Sequence, residues 1–545
     1  MYVRRKRNRS GSTSVVIVSK QSGRYKEIHV VGVSSDSATI ETLERQGRQW
    51  IKQKTGLPLF DIFEQHENEK FERYNVDYFF NNIENILLNG TQLILNRVFD
   101  LTGFDRIEDS EFRGLVISRI CQPLSKSATV DYLKSHFDQD VQPQKLYRYL
   151  DKLHDSQKEI VEKISIEHTR RILGGSIGLV FYDVTTLYFE TDKSDDLRKT
   201  GYSKDGKHTC PQIVLGLLVS DGGYPLAYSI HEGNKYEGHT MLPVVDEFVK
   251  KFDLKNFVIV ADAGLMNSDN IKLLEKGKYK YILGAKIKNE SKKVKQWIFS
   301  LAKKESCFYE LDKTPKSSPK NPHPPKSRLI VGYSEKRAKK DVYNRNKGIG
   351  RLEKEFESGR VTKEKINKRG YNKFLKISDD VTVNIDYTKI KDDERWDGLK
   401  GYTTNTDLSA EKIYEQYSSL WQVERAFRIT KGRLELRPMF HFTQKRIKAH
   451  ICICFVAYKV YKELERILKL KKINLSVDKV LDIAKTITTI RVRLPHNNKV
   501  LERTMLLTKA HKSIESLFDE NFWNLTALES NGNPKNKKKQ LRKNI

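Results

Sequence analysis

Hydrophobic and polar positions divide the chain into stretches of different period. The first 75 residues are weakly patterned, apart from two β-branched runs within 15–34 that flank Ser22-Gly23 and predict a hairpin. From 76 to 172 apolar residues recur at helical spacing, through 78–99, 112–124 and 145–164, which predicts helices. Pro123 breaks this run, and Ser125 or Ser127 is placed to cap the helix that follows. From Ser176 the pattern becomes short apolar runs bounded by turn residues. Strands are predicted at 177–183, 212–219 and 224–230, the last two joined by a tight Asp221-Gly222-Gly223 turn. Helices at 239–251 and 268–275 then alternate with strands at 257–261 and 279–286. A three-strand meander followed by alternating helix and strand predicts an α/β fold, a mixed sheet with helices on its faces.

Residues 288–395 interrupt this order with a Pro-rich break (315–327), strands near 328–334 and 380–387, and a Lys/Arg-dense helix at 335–357. They read as an insertion with a sheet of its own. A strand at 399–404, a long helix from Ser409, and helices at 443–468 and 476–491 complete the pattern. No internal repeat is present.

Charge changes this picture most. The 545 residues carry 100 Lys and Arg against 70 Asp and Glu, a net charge of +30. Such an excess attracts polyanions, of which nucleic acid is the commonest in a cell. With 38% hydrophobic residues the chain is expected to fold, and no apolar run approaches the length of a membrane span. The basic N-terminus lacks an apolar signal core. Five cysteines without a C-x-x-C argue against a disulfide framework or a zinc finger, and Cys452 and Cys454 are expected to pack as small hydrophobes. The expected location is cytoplasmic and nucleoid-associated.

Three acidic residues stand out against this background. Asp183 alternates with Leu179 and Phe181 at the end of one apolar strand, and Asp262 alternates with Val258 and Val260 at the end of another. An acid in line with core-facing residues is costly without a compensating cation or donor. In the helix after Ser409 the stripe Ile413, Tyr417, Leu420, Glu424, Phe427, Lys431 sets Glu424 on the face expected to pack on the sheet. A salt bridge to Arg428 or Lys431 would explain Glu424 alone. Convergence of all three carboxylates would raise their pKa values and call for a hard dication such as Mg²⁺. Two such ions serve in-line displacement at a phosphodiester, and DNA or RNA is the substrate that fits the charge.

The segments at 181–190 (FYDVTTLYFE), 258–270 (VIVADAGLMNSDN) and 417–431 (Y-x-x-L-W-x-V-E-R-A-F-R-x-x-K) resemble the three acidic motifs of a bacterial insertion-sequence DDE transposase, of the IS4-type superfamily and within it the IS1634-like family. The likeness runs over roughly 115–460. It implies an RNase H-like mixed-sheet catalytic core interrupted by a β-rich insertion, with an N-terminal helical region and C-terminal helices. It implies Asp183, Asp262 and Glu424 as catalytic and metal-binding residues, with two Mg²⁺ per site and Mn²⁺ able to substitute. Tyr417 and Lys431 match flanking DNA-contacting positions. The superfamily's Arg three residues after the Tyr is Leu420 here, and Arg425 and Arg428 are candidates for its phosphate contact.

The implied domains are a basic region (1–75), a helical DNA-binding or dimerisation domain (76–172), a first core segment (173–287), the insertion (288–395), a second core segment with the Glu helix (396–470), a C-terminal helical region (471–528) and a disordered tail (529–545). The implied partners are terminal inverted repeats, target DNA and a second copy of the chain in a dimeric or higher synaptic assembly. A nuclease of the same fold without strand transfer, and an inactive DNA-binding protein, remain the alternatives. His231, Glu232, Glu237 and His239 have metal-binding residue types at no zinc spacing, and 201–208 has Gly and Lys without a phosphate-loop pattern. Trp421 is expected in the core. The helix at 335–357 fits a solvated face or a clamp over phosphates equally well.

Overall fold

A computed structural model describes the chain except residues 22–23, 56–72, 74–75, 138, 204–205, 237–239, 253, 255, 266–267, 318–324, 359–369, 379–381, 495–498, 524–525 and 529–545. Glu237, His239, the predicted tail and the tip of the predicted hairpin therefore lie outside the described residues. The chain forms two compact units, one of residues 1–86, 490–502 and 526–545, the other of 87–489 and 503–525.

In the smaller unit the hairpin strands Thr13–Gln21 and Arg24–Ser34 pair antiparallel, and Tyr2–Arg7 adds a third strand beside the first. Val15–Val18 are buried, and the helix Ser37–Thr55 contributes buried Ile40 and Ile51. Two helix predictions are corrected. Within 78–99, Ile83–Leu87 is a strand before the helix Gly90–Leu101. Within 476–491 the helix covers only Val477–Ala484, and Thr488–Arg493 is a strand. Thr486 to Ile490 is an unbroken β-branched run, whose stiff side chains favour the extended chain.

The larger unit is built on one eight-stranded sheet. In chain order its strands are β1 (Leu179–Tyr188), β2 (Gln212–Ser220), β3 (Pro225–Glu232), β4 (Val258–Ala261), β5 (Lys280–Ala285), β6 (Phe308–Asp312), β7 (Arg328–Tyr333) and β8 (Leu399–Thr404). Their spatial order is β6-β7-β8-β5-β4-β1-β2-β3. The trio β1, β4 and β5 is parallel, and the other pairs are antiparallel. The turn between β2 and β3 uses Gly222 and Gly223 at φ of 79° and 74°, a region open to glycine.

Among its helices are α1 (Pro143–Ile172), α2 (Met241–Phe252), α3 (Ser268–Lys276), α4 (Glu335–Glu357), α5 (Ala410–Ser418), α6 (Trp421–Arg428) and α7 (Gln444–Leu470). Phe181, Leu217 and Val260 share one core with residues of α5, α6 and α7, whereas Val180, Tyr182, Ile259 and Ala261 share the other with α2 and α3. The period-two reading of β1 and β4 thus gives the two faces of the sheet.

Two regions differ from their expected independence. Helices between 90 and 172 share their core with α7, which is buried around most of its circumference, Cys452 and Cys454 included. A helix apolar on all sides has to be covered on all sides. Within 288–395, β6 and β7 extend the large sheet, and only Leu375–Ser378 with Thr382–Ile385 forms a separate pair. Leu329, Ile330 and Val331 are buried on opposite faces of β7, which suits a place inside a covered sheet. Among the described residues no helix is long and apolar enough to cross a membrane.

Candidate active site

Register positions the first two acids. β1 and β4 are adjacent and parallel with Tyr182 opposite Ala261, so Asp183 and Asp262 are the next residues along the two strands. By alternation they belong to the face of Phe181 and Val260, the one covered by α5, α6 and α7. Asp183 is half-buried, and its Oδ1 accepts from the Val184 amide at 2.8 Å. Asp262 is exposed just past the end of β4, where its Oδ1 accepts from the Tyr417 hydroxyl at 2.8 Å.

The helix that carries the third acid is broken. The single helix predicted from Ser409 is α5 and α6, joined through Ser419 and Leu420 with three-residue hydrogen bonds, Leu420 N–H to Tyr417 O and Val423 N–H to Leu420 O. The Ser418 and Ser419 hydroxyls both donate to the Glu415 carbonyl, local bonds that bend a helix. After α6 the chain makes a π-helical turn over Ile429–Arg433, a feature common at functional sites. Of the predicted stripe, Ile413, Tyr417, Leu420 and Phe427 are buried, while Glu424 is exposed in the first turn of α6.

Lys400 of β8 lies within reach of the charge of both Asp262 and Glu424. Burial and the charge of Arg337 lower its pKa, and Asp262 and Glu424 oppose the shift. Its ammonium lies 4.4 Å from the centre of the Tyr417 ring. The Tyr417 hydroxyl, 3% exposed as a residue, has its pKa raised by burial and then by Asp262, with Glu424 adding to it. One buried tyrosine and one lysine therefore sense both carboxylates. A Lys on the inward face of a strand, in line with Tyr402, was the available sequence signal for this residue.

The three acids do not form a closed ligand set. Among the described residues no group of three His, Cys, Asp or Glu stands close enough to hold a metal ion. The sequence predicts a tighter convergence of Asp183, Asp262 and Glu424; instead Asp183 is turned to its neighbour's amide and Asp262 to Tyr417. Carboxylate oxygens remain the donors a hard dication takes, so the residue types fit Mg²⁺.

The flanking residues are distributed unevenly. Tyr417, expected at DNA, spends its hydroxyl inside the protein on Asp262. Arg425 is drawn to α7, donating to Glu465 at 2.5 Å, whereas Arg428 is exposed and Lys431 lies half-buried in the π turn. Trp421 is 52% exposed, contrary to its expected place in the core; α6 buries Val423, Ala426 and Phe427 instead. His231 bonds Ser229 at 2.9 Å and Glu232 pairs with Lys199 at 2.7 Å, which accounts for both without a metal.

Gly284 of β5 leaves the space that Tyr417 occupies. A Cβ there would lie 2.5 Å from the Tyr417 hydroxyl and 2.9 Å from the Ala263 amide nitrogen. Gly284→Ala is expected to lower stability by about 1–3 kcal/mol, the usual cost of overpacking, in thermal unfolding. Adding Tyr417→Phe removes the hydroxyl in the way, so the double variant should lose less than the sum of the singles.

The family model described as "Transposase DDE domain" matches residues 174–459, more than half of the chain. The chain belongs to this family. In this DDE transposase domain the matched span opens just before β1 and closes inside α7, so it takes in Asp183, Asp262 and Glu424. No match is found among curated proteins. Among solved structures, a cryo-EM structure of a piggyBac transposase synaptic complex with hairpin DNA is similar at 10% identity and a TM-score of 0.35, over 68% of each chain.

Proposed function

We propose that the chain is a transposase of the IS4-type superfamily and the IS1634-like family, with an RNase H-like core in which Asp183, Asp262 and Glu424 are the catalytic triad. The observation that carries the reading is the register of β1 and β4. It supports the reading because Asp183 and Asp262 each follow a paired residue, Tyr182 and Ala261, and by alternation take the face of Phe181 and Val260. The three carboxylates would hold divalent metal, Mg²⁺ or Mn²⁺, which when bound supplies Lewis-acid stabilisation at the attacking and leaving oxygens. Tyr417, itself buried, orients Asp262 through the hydrogen bond its hydroxyl donates.

In this reading water cleaves one strand at the element end and leaves a 3′-hydroxyl. That hydroxyl attacks a target phosphodiester, forming one P–O bond as another breaks, so no external energy source is required. The basic N-terminal region and helices up to 172 recognise the terminal inverted repeats, and two copies hold two ends together. Arg428 and Lys431 contact DNA beside the site.

The test is a DNA fragment bearing the inverted repeats that flank the gene, incubated with the protein and Mg²⁺ beside a second DNA. Cleavage at the repeat ends and joining to the second DNA are expected. Cleavage without joining would make the chain a nuclease, and binding without cleavage under any metal would make it a DNA-binding protein.

A further inference from the structure

A cavity of about 290 Å³ opens beside Tyr417 and Lys400, at the meeting of β8, α5 and the first turns of α4. Lys336, Arg337, Lys340 and Lys400 all line it, and no Asp or Glu does. The remaining wall is largely aromatic, with Tyr402, Tyr414 and Tyr417. Among the described residues Lys336, Lys340 and Lys400 have no carboxylate partner at ion-pair distance, and Arg337 has only a loose contact with Asp341 at 3.7 Å. Four cations facing one space repel each other unless an anion joins them. Tyr417 lines this cavity and also donates to Asp262, and Lys400 lies against the Tyr417 ring, so an anion held here is one side chain away from that carboxylate.

We propose that this cavity is a phosphate subsite, taking a backbone phosphodiester of the DNA strand within a few nucleotides of the bond that is cleaved. Its cations come mostly from α4, so the Lys/Arg-dense helix contributes a clamp at its first turns rather than along its length. The volume suits a nucleotide-sized group, and tyrosine faces suit the sugar and base attached to the phosphate. The inference rests on the proposed DNA reaction for its ligand, while its support is four cationic side chains lining one cavity that no carboxylate lines.

The experiment measures binding of the full chain to its end DNA in EDTA, with each phosphate near the end replaced in turn by an uncharged methylphosphonate. For wild type, one replacement should weaken binding roughly 10-fold, the effect of one charge-assisted hydrogen bond. The variant K336Q/R337Q/K340Q should bind unmodified DNA more weakly and show no further loss at that one position. Its dependence of log K on log salt should also become shallower by about one for each phosphate no longer neutralised. All three side chains are exposed, and an unchanged melting temperature would show that the fold is kept. Penalties that multiply at every position overturn the proposal, as does inorganic phosphate or a nucleoside monophosphate displacing DNA from wild type and variant alike. Failure of the transposase reading is seen separately, as absence of metal-dependent cleavage by wild type with this interference pattern intact.

Discussion

Asp262→Asn is expected to reduce strand cleavage at the element ends on the order of a thousandfold while leaving end binding within about twofold of wild type. The substitution keeps the shape of the side chain and an oxygen that can still accept from Tyr417. It removes the negative charge, and with it the ability to hold a dication at a phosphodiester. Binding is carried by Lys and Arg on phosphates, which Asp262 does not supply, and losing a negative charge near DNA weakens nothing there. Asp183→Asn and Glu424→Gln are expected to behave alike if the three act as one unit, and the double variants should be no worse than the singles. Gel assays of cleavage and anisotropy of end binding measure the two effects separately. Cleavage that survives Glu424→Gln would mean that another acid completes the set.

Arg466→Ala is expected to destabilise the fold by about 3 kcal/mol, the largest stability effect among these predictions. Glu463 of α7 has 1% of its side chain exposed, takes Arg466 Nε at 2.7 Å and Nη2 at 2.6 Å, and faces His168 of α1 at 3.5 Å. Burial would raise the Glu463 pKa, but hydrogen bonds from Arg466, with His168 behind them, hold it down at about 2. A folded-state pKa of about 2 against an ordinary value of 4.5 stabilises the fold above pH 4.5. That contribution is lost as pH falls from 4.5 toward 2. Without Arg466 a carboxylate stays buried with His168 and the charge of Lys459 but no bidentate partner, so the cost appears at neutral pH and the steep acid limb flattens. Denaturant titrations at pH 7 and pH 3 measure both, and Arg466→Lys should fall between, since it restores charge without the bidentate fork. An unchanged acid limb in Arg466→Ala would show that the pair does not control the acid transition.

Much of the core was legible because its signals are local. Strand period two placed Phe181 and Val260 on one face, and both do lie in the core that α5, α6 and α7 share. The Asp221-Gly222-Gly223 turn was legible because the chain there needs positive φ, which only glycine adopts without strain. Where local preference and tertiary demand conflicted, the sequence misled. The stripe from Ile413 to Lys431 is continuous in period, yet the helix is interrupted at Ser419 and Leu420, and Trp421 and Glu424 are exposed. Residues 83–87 sit among helix-like spacing and form a strand because partners distant in sequence complete their hydrogen bonds.

The sequence by itself determined the charge, the mixed α/β order and the three acids with the strands and helix that bear them. Each follows from composition or from neighbours a few residues apart. Only the tertiary structure decided that β6 and β7 complete the main sheet, that Tyr417 turns inward to Asp262, and that Lys400 joins three cations of α4 around one cavity. Those outcomes depend on partners outside the local sequence window, as with Tyr417 and Asp262, 155 positions apart. Local periodicity carries the face on which a side chain lies; which partner meets it there is set by how the sheet orders its strands.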